Sequence, residues 1–390
     1  AIRNGCEIYP AFKTRGIKDL MIRGGDFYAV WDEETGLWST SQDRATELMD
    51  ISLEEYARAH PELVSPKILG FKYSETGSID KWKKYIKQQL TDRYTELDTR
   101  LIFQDQPTCR EDFASKRLPY SLVDGDHSAF DDLLNTLYSE EEAYKIKWAI
   151  GCVASGDSVN VQKFFVLYGA AGTGKSTILN IVENLFRGYS TTFDAKALGT
   201  GKSEFALEPF KDNPLVAIQH DGDLSRIEDN TKLNSIVSHE YLVVNEKHKA
   251  QYRMKFNTML FIGTNQPVKI TDTKSGLLRR LVDISPTGNK LPITKYRELT
   301  TRIEYELGAI AKYCIDIYMA NPRYFDGYVA VTMIGETNSL YDFVLDSYDI
   351  FAKEDQTTLG NAWKMYKDYV EDSMVAYKLD RMKFKAELKR

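Results

Sequence analysis

Phe164-Phe165-Val166-Leu167-Tyr168-Gly169-Ala170-Ala171-Gly172-Thr173-Gly174-Lys175-Ser176-Thr177 is the stretch that decides the fold. Phe164 to Tyr168 is unbroken apolar and aromatic and reads as a buried strand, while Ile178, Leu179, Ile181, Val182, Leu185 and Phe186 recur at helical spacing just beyond it. A strand that enters a helix through Gly-x-x-x-x-Gly-Lys-Ser predicts an α/β fold with a nucleotide-phosphate site at the turn. Gly169, Gly172 and Gly174 let successive backbone N–H groups of the Gly169–Thr177 segment, Thr173 included, curl around a β-phosphate at the positive end of the helix. Lys175 is placed to reach the β- and γ-phosphates, and the Ser176 hydroxyl to ligate Mg²⁺, so ATP and Mg²⁺ are the expected cofactors. A plain glycine-rich turn needs neither the strand nor the helix.

Working outward, the run Leu215-Val216-Ala217-Ile218 leads into Gln219-His220-Asp221-Gly222-Asp223 and is read as the partner strand of the glycine loop. Asp221 or Asp223 is positioned to hold the magnesium through water or to orient the attacking water; the bland alternative is a strand and a turn. A third run, Met259 to Gly263, ends at Thr264-Asn265. The Asn265 amide offers donor and acceptor together, which suits a group touching both the γ-phosphate and the water, although an Asn also simply starts turns. Farther on, Leu277-Leu278-Arg279-Arg280-Leu281 sets paired arginines before a fourth apolar run. The fork of Arg280 suits stabilisation of a transferring phosphoryl group held by a neighbouring subunit; a surface pair is the alternative.

Between the acid run and the Asn run, Tyr241 to Phe256 reads as two strand-like arms flanking a basic tip. Its tip, Lys247-His248-Lys249-Ala250, is basic, so Lys247, His248 and Lys249 are candidate contacts to nucleic-acid phosphates, sugars or bases. A solvated surface hairpin is the competing reading.

Composition bounds the rest. With 390 residues and 43% hydrophobic content the chain has material for more than one core. It lacks an apolar run of about eighteen residues, so no membrane partner is expected. The opening Ala1-Ile2-Arg3-Asn4-Gly5 has no signal-peptide order and no initiator Met, which reads as a cytoplasmic protein cut from a longer chain. Cys6, Cys109, Cys152 and Cys314 are scattered without a C-x-x-C pair and are expected to be reduced, mostly buried thiols. A net charge of -6 argues against coating DNA by bulk electrostatics, while leaving room for a locally basic channel.

The chain divides into four regions: 1–60, mixed and without a motif; 61–155, helical; 156–286, β-rich and glycine-punctuated; and 287–390, helical again. Strand-like spacing falls at Asp26 to Trp31, and helical spacing at Ile79, Trp82, Tyr85, Ile86 and Leu90 within Ser78 to about Leu101. A second helical stretch runs from Ser128 towards Ile150, either as core or as an oligomerisation collar, and the turn cluster Ala154 to Asp157 closes it. Further helices are expected over Tyr296 to Met319 and Leu340 to Phe351.

Glycine loop, acid strand, basic hairpin, Asn strand and arginine, in that order, resemble the superfamily 3 helicases of small DNA viruses, phages and plasmids, a branch of the AAA+ ATPases. The tip Lys247-His248-Lys249-Ala250 is similar to the pore hairpin of papillomavirus and polyomavirus replicative helicases. Leu118-Pro119-Tyr120, Trp148-Ala149-Ile150-Gly151 and Leu167-Tyr168-Gly169 look closer to phage and plasmid primase-helicases of the poxvirus type.

The resemblance implies a P-loop AAA+ core of parallel sheet flanked by helices, an N-terminal mixed and helical collar, and a helical C-terminal end that begins a winged helix. It also implies a homo-hexameric ring in viral or plasmid replication, acting in the host cytoplasm. That ring would hydrolyse ATP between subunits and track single-stranded DNA at a forked duplex, usually 3′ to 5′, with a primase or polymerase domain upstream in the same longer chain. In its terms Lys175 and Ser176 are the loop pair, Asp221 the acid-strand carboxylate, Lys247 and His248 the DNA hairpin, Asn265 the sensor and Arg280 the finger. Many relatives have two adjacent acids where this chain has His220-Asp221, which leaves the base open between Asp221 and Asp223.

Two rival functions stay in view. A small-molecule kinase would have no use for the hairpin, whereas a nucleotide-stabilised DNA-binding ring could tether a primase-polymerase without strong unwinding.

Overall fold

The computed structural model describes residues 2–3, 6–7, 20–23, 26–41 and 96–390, less 200–204, 223–228, 246–250, 267, 269–275, 331–338, 354–356, 374–377 and 389–390, with a few single positions between 43 and 61. The helix expected from Ser78 lies outside the described residues up to 95. Residues 96–101, its expected end, are irregular instead. Asp98 has φ +57° and donates its N–H to Phe113, and the following segment runs extended, with Leu118 N–H donating to Ile102 and Gln104 N–H to Tyr120. Buried Leu101, Ile102 and Phe103 thus serve an extended segment that lies along residues 113–120.

Near the N-terminus, β1 (Ile2–Arg3) pairs with β2 (Cys6–Glu7), and β3 (Leu20–Arg23), β4 (Asp26–Asp32) and β5 (Leu37–Ser39) form an antiparallel sheet. The β4–β5 turn closes on Gly36 at φ +65°, a left-handed position that favours glycine.

Helices α1 (Ser128–Leu137) and α2 (Glu140–Ala154) follow. Ser139 caps α2 by accepting from Glu142 N–H, and Glu140, Glu141 and Glu142 crowd its positive end. The helix stops at the turn read from sequence, with Gly156 left-handed at φ +79°.

The central layer is a five-stranded sheet of β6 (Phe164–Tyr168), β7 (Ser190–Thr192), β8 (Val216–Gln219), β11 (Met259–Thr264) and β12 (Leu281–Ile284), in spatial order β12-β6-β11-β8-β7 with every pair parallel. Helices α3 (Lys175–Leu185), α4 (Ala195–Gly199) and α5 (Thr231–Val237) connect its first strands, and the hairpin β9 (Tyr241–Val244) and β10 (Tyr252–Lys255) is inserted before β11. This α/β arrangement is compatible with a P-loop-like core. One detail departs from the sequence reading: β8 is not the neighbour of β6, because β11 lies between them and pairs with both.

Parallel strands must bury both faces, and they do. Phe165, Leu167, Ile218 and Phe261 join a cluster with α1, α2, α3 and the long α6 (Ile293–Ala320), while Phe164, Val166, Ala217 and Ile262 face Phe210, Ile236 and Met254. Helices α1 and α2, on the N-terminal side of the turn at 155, therefore share one hydrophobic cluster with the sheet. The packing is closest at Gly151, where an added Cβ would stand 1.9 Å from the carbonyl oxygen of Cys314 on α6. Cys152 and Cys314 are buried as expected, whereas Cys109 is exposed on a surface turn.

At the C-terminal end α7 (Ser339–Asp346), α8 (Tyr348–Phe351), α9 (Leu359–Asp372) and α10 (Arg381–Leu388) gather around Phe343, Tyr366 and Phe384. Among the described residues this end carries helices and no strand, so the helical C-terminal end is found and the expected winged helix is not.

Candidate nucleotide site and hairpin

In a parallel sheet the strand C-termini converge on one edge, and the loops that leave them form the natural ligand crevice. Tyr168 and Thr264 are register partners at the ends of β6 and β11, so the glycine loop and Asn265 leave the sheet side by side. Gly172 at φ +78° and Gly174 at φ +94° have backbone conformations that L side chains rarely adopt, which explains the glycines. Gly174 is the N-cap of α3, and the first N–H groups of α3 lack intrahelical acceptors, so the loop presents donors at a positive helix end.

Lys175 Nζ donates to the carbonyls of Gly169 and Ala170, each at 2.7 Å, and to Asn265 Oδ1 at 2.8 Å. Sequence-distant Lys175 and Asn265 are thereby in direct contact. Burial lowers the Lys175 pKa, and the charge of Asp221 acts the other way. Asp221 is exposed at the end of β8, tied to β11 by the Gly222 N–H donating to Gly263 at 2.7 Å. Gly263 permits that approach, since a Cβ there would stand 2.6 Å from the His220 carbonyl oxygen. His220 itself lies 3.7 Å from Glu183 of α3.

Ser176 and Thr177 line a cavity of about 300 Å³ together with Gly172 and Gly174; its other wall is Leu137, Asn289, Lys290, Leu291 and Tyr296. Thr177 Oγ1 and the Tyr296 hydroxyl are 3.3 Å apart. Nothing in the sequence marked Leu137 or Tyr296, because both are core-like residues of amphipathic helices and reach the loop only through tertiary packing. The oxygen donors fit a magnesium ion: Mg²⁺ needs one or two protein oxygens beside phosphates and waters, and exposed Ser176 at the loop and Asp221 at the adjoining strand end supply that set.

Arg280 is not brought to this site. Leu281 pairs with Phe164, so Arg280 sits at the opposite, N-terminal edge of the sheet, a strand length or about 17 Å from the loop. It is 8% exposed, and its Nη1 donates to Gly276 O at 3.1 Å and Asn234 Oδ1 at 3.3 Å. Burial and then the adjacent Arg279 lower its pKa. Together with exposed Arg279 and with Lys163, which precedes β6, it lines a cleft of about 370 Å³ floored by Trp148 and Phe325 and bordered by Asp326. Lys163 was not singled out by sequence; a lysine before a buried strand carries no signal of its own.

The hairpin arms pair as read, Val243 with Arg253 and Tyr241 with Lys255. Val244 and Met254 point into the core, whereas Tyr241, 62% exposed, and Val243 face outward beside exposed Arg253. Lys247, His248 and Lys249 at its tip, and Asp223 after β8, lie outside the described residues.

Residues 167–280 match a family of unknown function, DUF5906. They run from β6 through the glycine loop, the acid strand and the hairpin to Arg280. Among solved structures, an A-form apo structure of the NrS-1 C-terminal region is similar over 59% of this chain and 57% of that one, at 15% identity and a TM-score of 0.43. A second apo structure of the same region aligns over 65% and 64%, at 14% identity and a TM-score of 0.41. The chain thus spans less than two thirds of the NrS-1 region it matches. No curated protein matches it.

Proposed function

We propose that this chain is the motor part of a replicative DNA helicase of the AAA+ superfamily 3 type, in which ATP bound with Mg²⁺ is hydrolysed between subunits of a homo-hexameric ring. The observation that carries the reading is the contact of Lys175 with Asn265 at the converging strand ends, beside the Gly169–Ser176 loop. A lysine and an amide joined there can grip one γ-phosphate from two sides, and the amide NH₂ or Oδ1 can also orient a water for attack.

In this proposal the N–H groups of the loop hold the β-phosphate, Lys175 balances charge on the β–γ bridge, and Ser176 and Asp221 hold Mg²⁺, which screens the phosphates when bound. Asp221 or Asp223 accepts the water's proton. Arg280, a strand length from its own loop, can meet only a nucleotide held by another copy, and the Lys163–Arg279–Arg280 cleft is the face that copy would approach. The hairpin carries Lys247, His248 and Lys249 to single-stranded DNA at a forked duplex. A primase or polymerase domain in the same longer chain, and work in the host cytoplasm during viral or plasmid replication, complete the reading.

The deciding experiment is strand displacement on forked duplexes with 3′ or 5′ single-stranded tails, with ATP and Mg²⁺. ATP-dependent displacement from one tail polarity is expected, and Lys247→Ala should reduce it while leaving hydrolysis without DNA unchanged. ATP hydrolysis with no displacement on either fork would reject the motor.

A further inference from the structure

The cavity beside the glycine loop has two unlike sides. One is the loop itself, rich in backbone donors. The other is built from the end of α1, the segment after β12 and the first turn of α6, and its buried or half-buried surface is apolar or aromatic: Leu137, Leu291 and Tyr296. These parts are fixed to one another and to the loop. Thr287 donates both its N–H, at 2.9 Å, and its hydroxyl, at 3.1 Å, to the Leu137 carbonyl. A Cβ on Gly174 would stand 2.7 Å from Leu137 Cδ1, so the α1 end is in direct contact with the α3 cap.

An apolar slot opening onto a triphosphate cradle is the place for a nucleobase, and the slot shows how that base would be recognised. A base edge is read with high discrimination when buried donors or acceptors wait for it. Here the Leu137 carbonyl is already engaged twice by Thr287, the half-buried Tyr296 hydroxyl is within 3.3 Å of Thr177 Oγ1, and the other polar side chains of the wall, Asn289 and Lys290, are exposed to water. Water competes for such groups on equal terms, so a mismatch leaves nothing buried and unpaired.

We infer that this slot receives a purine base and holds it by stacking and shape, with Tyr296 as the principal contact, so that the chain takes adenine and guanine triphosphates alike. The inference rests on the loop being the triphosphate cradle. A purely apolar slot separates similar ligands by no more than about a hundredfold, against about 10⁴-fold or more where hydrogen-bonding groups are buried for the purpose. Pyrimidines present a smaller face and bind more weakly.

The test is calorimetric titration of the full chain, with Mg²⁺, by ATP, GTP, CTP, UTP and inorganic tripolyphosphate. ATP and GTP should agree within about a hundredfold and both should exceed tripolyphosphate, the difference measuring the slot. Tyr296→Ala should lower ATP and GTP affinity about tenfold or more, the worth of a lost stacking partner, and leave tripolyphosphate unchanged, while Tyr296→Phe keeps wild-type values. If Tyr296→Ala loses its circular dichroism spectrum, Leu291→Ala takes its place with the same expectation. The inference fails if ATP and GTP differ by more than about a hundredfold, if tripolyphosphate binds as tightly as ATP, or if the slot variants bind ATP like the wild type. Binding by none of the five probes would instead remove the triphosphate reading, and this inference with it.

Discussion

The two edges of the central sheet hold cations in different ways. At the C-terminal edge Lys175 is enclosed by the carbonyls of its own loop and by the Asn265 amide, next to an exposed carboxylate at Asp221. At the N-terminal edge Lys163, Arg279 and Arg280 border one cleft with a single carboxylate, Asp326, among its lining residues. One edge gathers a glycine loop, a lysine, an amide and a carboxylate; the other gathers three cations without a glycine loop of its own. The difference teaches that, on the proposed function, the two edges are complementary through a nucleotide, the loop of one copy facing the cations of the next.

The largest expected effect tests the edges together. Lys175→Ala and Arg280→Ala should each lower ATP hydrolysis by about 10³-fold or more, and mixing the two inactive proteins should restore measurable turnover, because some interfaces then combine an intact loop with an intact arginine. No recovery at any mixing ratio breaks the comparison. A greater loss from Arg279→Ala than from Arg280→Ala sharpens it, by giving the contact to the exposed arginine of the pair.

A smaller effect separates the members of the loop edge. Asn265→Ala should reduce kcat by about 10²-fold with little change in KM, since the amide acts on charge that develops during reaction more than on the bound ground state. Equal losses in kcat/KM and affinity would mean that Asn265 serves binding alone.

The smallest effect concerns how the loop edge is braced. Lys145 Nζ donates to Glu142 Oε1 at 2.7 Å, to the Asp283 carbonyl of β12 and to the Tyr328 hydroxyl, while Glu142 Oε2 accepts from Ser285 N–H. Burial raises the Glu142 pKa above its ordinary 4.5, against the opposing hydrogen bond from Lys145. The folded protein thus binds this proton more readily than the unfolded chain, and the group's contribution to stability falls as pH rises from about 4.5 through the raised value. Glu142→Gln should flatten that part of the stability–pH curve in denaturant melts; an unchanged slope would show that the burial has no energetic consequence there.

Much of this was legible in the sequence for a simple reason: strands β6 and β11 are mostly continuous apolar runs, β12 is apolar but for Asp283, and the loop between β6 and α3 has its own local chemistry. Local pattern also located the two hairpin arms and the turn at Gly156. Other features come from tertiary packing and leave no mark along the chain. The edge strand β7, Ser190–Thr192, is short and polar. The insertion of β11 between β6 and β8 is a matter of topology. Glu142 and Lys145 look like an ordinary solvated pair on a helix, and only the fold shows them bracing β12. Leu137 and Tyr296 are separated by more than a whole sheet's worth of sequence yet face one cavity.

The long helix α6 has a bearing on how those distant places are related. Its first turn brings Tyr296 to the loop, and the residues just past its end, Pro322, Phe325 and Asp326, border the cationic cleft. Twenty-eight residues of unbroken helix make a rod of about 42 Å. The rod is keyed to its neighbours at Gly151 and again at Gly308, where a Cβ would stand 2.1 Å from the Ser121 carbonyl oxygen. A single unbroken member thus joins the loop edge to the cationic edge, and the spacing between the two is set by the rise of one helix.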